Sequence, residues 1–213
     1  MIVAPLGPIT AYRMHTPRWA GIPTSGAGAG VHGGRANRPG TDALYLALDI
    51  ETAVLEYQQA SPLMPPGTLV SYTVELTKAV DFSNGYRPLA WEPLWEDFYC
   101  DWRELWFNQR VEPPSWVLAD QALGQGAKGI CFRSRLTGGM NVVVYTRELA
   151  LSAVRLCSLV ARWLAPRCDG RARRQHPRLG HPHRGAARRA SGSRAQPQVR
   201  LVAVRSLRRH HRL

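Results

Sequence analysis

The stretch "TPRWAGIPTSGAGAGVHGGRANRPG", residues 16 to 40, restricts the fold more than any other part of the chain. It holds seven glycines and three prolines in 25 residues. Neither a helix interior nor a central strand is stable at that density. The sequence therefore predicts a long loop, and long loops inside compact domains commonly carry function. Its flanks must supply the frame. "TAYRM" (10 to 14) reads as a short strand before it, and "ALYLAL" (43 to 48) as a buried strand after it. Asp49 is placed to cap a helix over "IETAVLEYQQA", which has good helix formers and an acidic first turn.

Further along, "TLVSYTVEL" (68 to 76) alternates. Val70, Tyr72, Val74 and Leu76 share one face and Ser71, Thr73 and Glu75 the other, the period of a half-buried strand. Residues 91 to 116 hold five of the seven tryptophans, which reads as core packing, since each ring buries a large area. "PSWVLADQALGQG" predicts a helix opening after Pro114 and stopping at Gly124 or Gly126. "GICFRS" and "NVVVYT" are two strands joined by "RLTGGM", a turn suited to a hairpin or a ligand loop. Strands and helices mix without a regular β-α-β alternation, so the fold class is α+β and not a doubly wound sheet.

The formal charge of +13 belongs to one end of the chain. Residues 1 to 165 carry 14 basic and 14 acidic side chains, whereas residues 166 to 213 carry 14 arginines and only Asp169. Any argument for nucleic acid rests on that tail alone. The tail is too poor in apolar surface to fold by itself. Its composition fits a nucleic-acid-binding segment and equally fits GC-rich DNA read in an unselected frame. Before it, "ELALSAVRLCSLVARWLA" (148 to 165) is helical by propensity, apolar nearly all round, and interrupted by Arg155 and Arg162. It is short for a membrane span and reads as a buried or partner-docked helix. The expected organisation is a domain over 1–147, this helix over 148–165 and a disordered tail over 166–213. Cys100, Cys131, Cys157 and Cys168 make no C-x-x-C pair, and the N-terminus lacks a signal-peptide pattern, so a reducing cytoplasm is the expected compartment.

Three charged or polar residues stand out near the glycine-rich stretch. Arg35 sits inside "GGRAN", where glycines let backbone approach a ligand and a guanidinium can fork onto phosphate. By itself it is more simply a loop arginine paired with a surface acid. Tyr45 lies in an apolar strand, where core is the ordinary role and a cleft wall the sharper one. Glu56 falls near a helix end whose dipole disfavours a carboxylate, so it is either ion-paired on a solvated face or functional near a cleft. No G-x-x-x-x-G-K-[ST] loop occurs, and the G-x-G-x-x-x-G echo in "GAGAGVHGG" lacks a following helix pattern. The histidines of "HPHR" and "RHHR" lack carboxylates and a scaffold, so no metal site is expected.

Taken in order, these segments resemble the RES domain, named for its Arg, Glu and Ser. The likeness runs through "YRMHTPRWA", "PTSGAGAGVHGGRANRPGTDALYLALDIETAVLEY", "PPGTLVSYTVEL", "DWREL", "PSWVLAD" and "GAKGICFRSRLTGGMNVVVY", covering residues 10 to 146. By position Arg35, Glu56 and Ser134 match the family's namesake residues and Tyr45 its strand tyrosine. The resemblance implies an ADP-ribosyltransferase-like fold of mixed, mostly antiparallel sheets around a cleft with short helices. It implies the toxin half of a bacterial toxin–antitoxin pair, with NAD as substrate and no separate cofactor, degraded by hydrolysis or phosphorolysis. It also implies a partner, an Xre-type helix-turn-helix antitoxin whose C-terminal segment blocks the cleft. The helix from 148 and the basic tail depart from the family's ending, and a shifted frame near 146 to 150 would account for both.

On that resemblance, Glu56 faces the positive charge that develops on the ribose as the nicotinamide bond breaks, an oxocarbenium-like state. Arg35 neutralises the diphosphate, Tyr45 packs on or bonds the nicotinamide riboside end, and Ser134 orients the ribose or Glu56. Arg13 and Asn37 are further candidates for phosphate or ribose contact. The acceptor, whether water, inorganic phosphate or a protein side chain, stays open. Other readings are an ADP-ribosyltransferase acting on a protein, a DNA-binding protein working through its tail, and an inactive remnant.

Overall fold

The computed structural model describes residues 1–59, 61–149 and 154–163. Its strands are β1 (Val3–His15), β2 (Ala43–Ala47), β3 (Gly67–Phe82), β4 (Gly129–Arg133), β5 (Met140–Tyr145) and β6 (Val154–Trp163). Its α-helices are α1 (Ala27–His32), α2 (Ile50–Gln58) and α3 (Pro114–Gly124). The strands form one sheet in the order β1-β2-β5-β4-β3-β6, with β1 also paired to β3. All pairings are antiparallel except β3–β4. A parallel pair needs a long crossover, and residues 83–128 supply it: the tryptophan-rich segment and α3. The fold is therefore α+β with a mixed, mostly antiparallel sheet and short helices, as the lack of β-α-β alternation predicts.

Three elements differ from the sequence expectation. The helix predicted over 148–165 is replaced by β6, which runs antiparallel along β3 from Gly67↔Trp163 to Val74↔Val154. A segment apolar on all sides suits a strand as well as a helix. The edge of β3 over Gly67–Val74 decides between them by offering backbone partners, with two register shifts along the way. The glycine-rich stretch is not wholly loop: Ala27–His32 closes one short helix, with Gly33 just beyond it at φ +81°. Alternate alanines permit a single turn that glycine density argues against, and Gly33 closes it by donating its N–H to the Ala29 carbonyl at a positive φ that suits glycine. Finally, β1 extends back to Val3, its pairing with β3 shifting register between Ala4 and Ile9. The "LGP" within that irregularity is the punctuation that hides the first half of the strand. The basic tail, 166–213, lies outside the described residues.

Two apolar layers cover the sheet. On one face Phe82 is ringed by Trp91, Trp95 and Phe98 at centroid distances of 4.8, 5.0 and 5.0 Å. Leu118, Ala119 and Ala122 of α3 close that cluster. The other face packs Leu44, Val70, Tyr72, Val74, Val142 and Val144. Trp91, Trp95, Trp102 and Trp116 are buried, in the core role the sequence predicts. The first half of β3 is buried on both sides, and the expected alternation appears only from Thr73 onward. Phe132, near the end of β4, belongs to the aromatic layer and also lines the cleft, alongside Tyr45 of β2 and Asn141 of β5.

Candidate active site

Residues 33–38 leave α1 as a tight loop whose backbone is bound at almost every step. Gly34 donates its N–H to the Asn37 carbonyl at 2.9 Å, and its own carbonyl accepts the Trp116 indole N–H at 2.6 Å. The Ala36 N–H donates to the Tyr45 hydroxyl, and the Ala36 carbonyl accepts from the Tyr145 hydroxyl, both at 2.9 Å. Only glycine fits at 34, because a Cβ there would stand 2.5 Å from the Tyr45 hydroxyl oxygen. The loop thus presents the Arg35 side chain to the cleft from a rigid mount, while Arg38, at its far end, pairs with Glu112 and Asp120 at the surface. Its Nη1 donates to the carbonyls of Cys100 (2.9 Å) and Phe98 (3.3 Å), and its guanidinium lies 5.6 Å from the Tyr99 ring centre. It has no carboxylate partner among the described residues. The surface ion pair that would be its ordinary role is absent there.

Glu56 comes from the last turn of α2, which starts where predicted: Asp49 Oδ1 accepts the Thr52 N–H at 2.7 Å. Its Oε1 accepts from the Ser134 hydroxyl at 2.7 Å and from the Asn141 amide at 2.9 Å. Its Oε2 accepts only a longer bond, 3.3 Å, from Gln59. One carboxylate oxygen is therefore fixed and the other is left toward the cleft. Ser134 follows directly after β4 and is itself held, its hydroxyl accepting from the Leu136 and Thr137 N–H groups at 3.1 and 3.3 Å. The "RLTGGM" turn returns the chain to β5 so that Asn141 opens that strand opposite Phe132.

Arg35, Tyr45, Glu56, Ser134 and Arg13 all line one cleft of about 550 Å³, a volume suited to a small-molecule ligand. Arg13 reaches it from β1, its Nη1 donating to the Tyr45 carbonyl at 2.8 Å. Burial lowers its pKa, opposed in part by Tyr72 and Tyr45, and the guanidinium stays charged. Burial likewise lowers the pKa of Arg35, with Arg135 a like-charged neighbour. Tyr45 fits its expected role only in part. Its hydroxyl donates to Asn37 Oδ1 at 2.7 Å while accepting from Ala36, so the ring alone is offered to a ligand. Burial raises this phenol's pKa well above the usual tyrosine value.

Asn37 does not line the cleft. It is fully buried, and its amide donates to the carbonyls of Ala29, Arg38 and Thr41 at 3.0, 3.2 and 2.9 Å. Its place in the structure is the knot of the Arg35 loop, which corrects the expected phosphate or ribose contact. Conversely, Asn141, Arg103, Arg133 and Arg135 line the cleft and were not singled out from sequence. Asn141, the one polar residue opening an apolar strand beside a glycine pair, carried a legible signal. The wall holds five arginines against two carboxylates, Glu56 and Asp101, an excess of three positive charges.

Beneath Arg13, His15 Nε2 lies 2.5 Å from the Tyr72 hydroxyl, which donates to the Pro23 carbonyl at 2.8 Å. His15 Nε2 is therefore the donor to that hydroxyl. Burial, then Arg13, pull its pKa down to about 4. The unfolded chain takes up this proton near pH 6.5 and the folded one only near 4, so stability falls as pH drops through that window. Urea unfolding at pH 7 and pH 4.5 should show a larger loss for the parent than for His15→Gln. Equal losses would remove His15 from the linkage.

The sheet, the mounted guanidinium and the tethered carboxylate define an α+β protein with an arginine-rich cleft. No cluster of metal-ligating side chains and no helix long and apolar enough to cross a membrane occur among the described residues. A family model for the RES domain matches residues 10–167, and the chain belongs to that family. The match passes the boundary expected at 147 and takes in β6. No curated protein matches the chain. Among solved structures, a chain of the M. tuberculosis MbcT–MbcA toxin–antitoxin complex is 19% identical, with a TM-score of 0.48 over 70% of this chain and 81% of that one.

Proposed function

We propose that the chain is an NAD-degrading toxin with an ADP-ribosyltransferase-like fold, which cleaves the bond between nicotinamide and ribose. The observation that carries this reading is the Glu56 carboxylate, tethered through one oxygen by Ser134 and Asn141 in a cleft rich in arginine. Arg35, and Arg13 behind it, hold the diphosphate. The Tyr45 ring forms the floor under the riboside end. Glu56 Oε2, the freer oxygen, takes the ribose 2′-hydroxyl. As the nicotinamide bond breaks, positive charge grows on the ribose and the carboxylate's attraction grows with it, which lowers the barrier selectively. Water or inorganic phosphate then adds to the opposite face of the ribose carbon.

Family membership supports the toxin role and its partner, a helix-turn-helix antitoxin of Xre type acting in the cytoplasm, whose C-terminal segment occupies the cleft. Ser134 and Asn141 act on the reaction by positioning Glu56. Ser134→Ala should lower kcat about 10- to 100-fold with a smaller change in KM, the effect of one charge-assisted bond. Steady-state nicotinamide release measures it, and an unchanged kcat removes Ser134 from that role.

Purified chain incubated with NAD labelled in its adenosine half tests the whole reading. Label in free ADP-ribose or ADP-ribose 1-phosphate supports degradation. Label on protein reassigns the cleft to ADP-ribosyl transfer, and intact NAD contradicts both.

A further inference from the structure

Three arginines converge around Tyr99. Arg35 and Arg135 are held by three successive carbonyls: Arg35 by Phe98 and Cys100, and Arg135 by Tyr99 through Nη1 at 2.8 Å. Arg133 donates to the Ser83 carbonyl through Nε and to the Gly138 carbonyl through Nη1, each at 3.0 Å. Its backbone N–H donates to the Tyr99 hydroxyl at 3.0 Å. None of the three forms an ion pair with a carboxylate among the described residues. Arg135 acts on Arg35 as a like-charged neighbour, and such guanidinium groups repel one another unless an anion joins them. Arg133 and Arg135 flank Ser134 in sequence, and both line the cleft that holds Glu56.

Charge matching narrows the ligand. The wall carries an excess of three positive charges. A dinucleotide diphosphate brings two negative charges, and the nicotinamide cation offsets one of them. A phosphate monoester adds about −1.5 to −2 more, which matches the wall, and a dianion of this shape is what paired guanidinium forks bind best.

We propose that Arg133 and Arg135 form a second anion subsite, beside the diphosphate position at Arg35, that takes the 2′-phosphate of a phosphorylated nicotinamide dinucleotide. The substrate class then extends from NAD to NADP, with NADP preferred. This rests on the dinucleotide reading given above.

Direct binding separates the two claims, because it needs no turnover. Titration calorimetry on the full chain would compare ADP-ribose with ADP-ribose 2′-phosphate. The phosphorylated ligand should bind about tenfold tighter or more, as two charge-assisted contacts imply. Arg133→Gln with Arg135→Gln should erase that preference, and inorganic phosphate should compete with the phosphorylated ligand alone. Equal affinity for both ligands overturns the subsite and leaves the dinucleotide reading standing. Inorganic phosphate binding together with ADP-ribose, at no gain for the 2′-phosphate, assigns the arginines to free phosphate and also overturns it. Binding of neither ligand removes the dinucleotide reading and the subsite with it.

Discussion

Replacing Glu56 by Gln is expected to slow nicotinamide release by about 10²- to 10³-fold, the range seen when one preorganised electrostatic group is removed from a reacting centre. The substitution is nearly isosteric. A glutamine Oε1 still accepts from Ser134 at the position where Glu56 does so at 2.7 Å, and from Asn141 where the distance is 2.9 Å. What disappears is the negative charge that meets the developing cation. The circular dichroism spectrum and the unfolding midpoint should therefore stay near those of the parent. A variant as fast as the parent would remove Glu56 from the chemistry.

Asn37→Ala should have the largest effect on the fold, a loss of about 3 kcal/mol or more in urea unfolding. The side chain is fully buried and serves three backbone carbonyls and the Tyr45 hydroxyl at once. Each buried polar group left without a partner costs about 1–3 kcal/mol, and the truncation strands several together. The same change should loosen the loop that carries Arg35 and raise KM for the dinucleotide. A loss under about 0.5 kcal/mol, typical of an indifferent surface position, would show that the loop is held by Trp116 and Tyr145 without Asn37.

Local chemistry made some of this legible from sequence. The Asp49 cap, α3 between Pro114 and Gly124, and the hairpin around "RLTGGM" depend on residues close in the chain, and they form where expected. The resemblance to the RES domain selected Arg35, Tyr45, Glu56 and Ser134, and the fold brings all four to one cleft. The misses share a cause. The strand β6 exists because β3 offers an edge, which its own propensity does not encode. Asn37 looked like a ligand contact because its neighbours did, yet the loop needs one buried amide to close on itself. Asn141 meets Glu56 across 85 residues of chain, a separation that no local pattern reveals. Arg133 and Arg135 reach the cleft through carbonyls far away in the chain, those of Ser83 and Tyr99, which no local pattern reveals.

Equilibrium binding of NAD to the Glu56→Gln protein tests most directly whether these side chains serve one ligand. One NAD per chain should bind saturably, and adding Arg35→Ala should weaken that binding at least about tenfold, the worth of a lost charge-assisted phosphate contact. A folded Glu56→Gln protein without affinity for NAD, or one whose affinity ignores the loss of Arg35, would contradict the account.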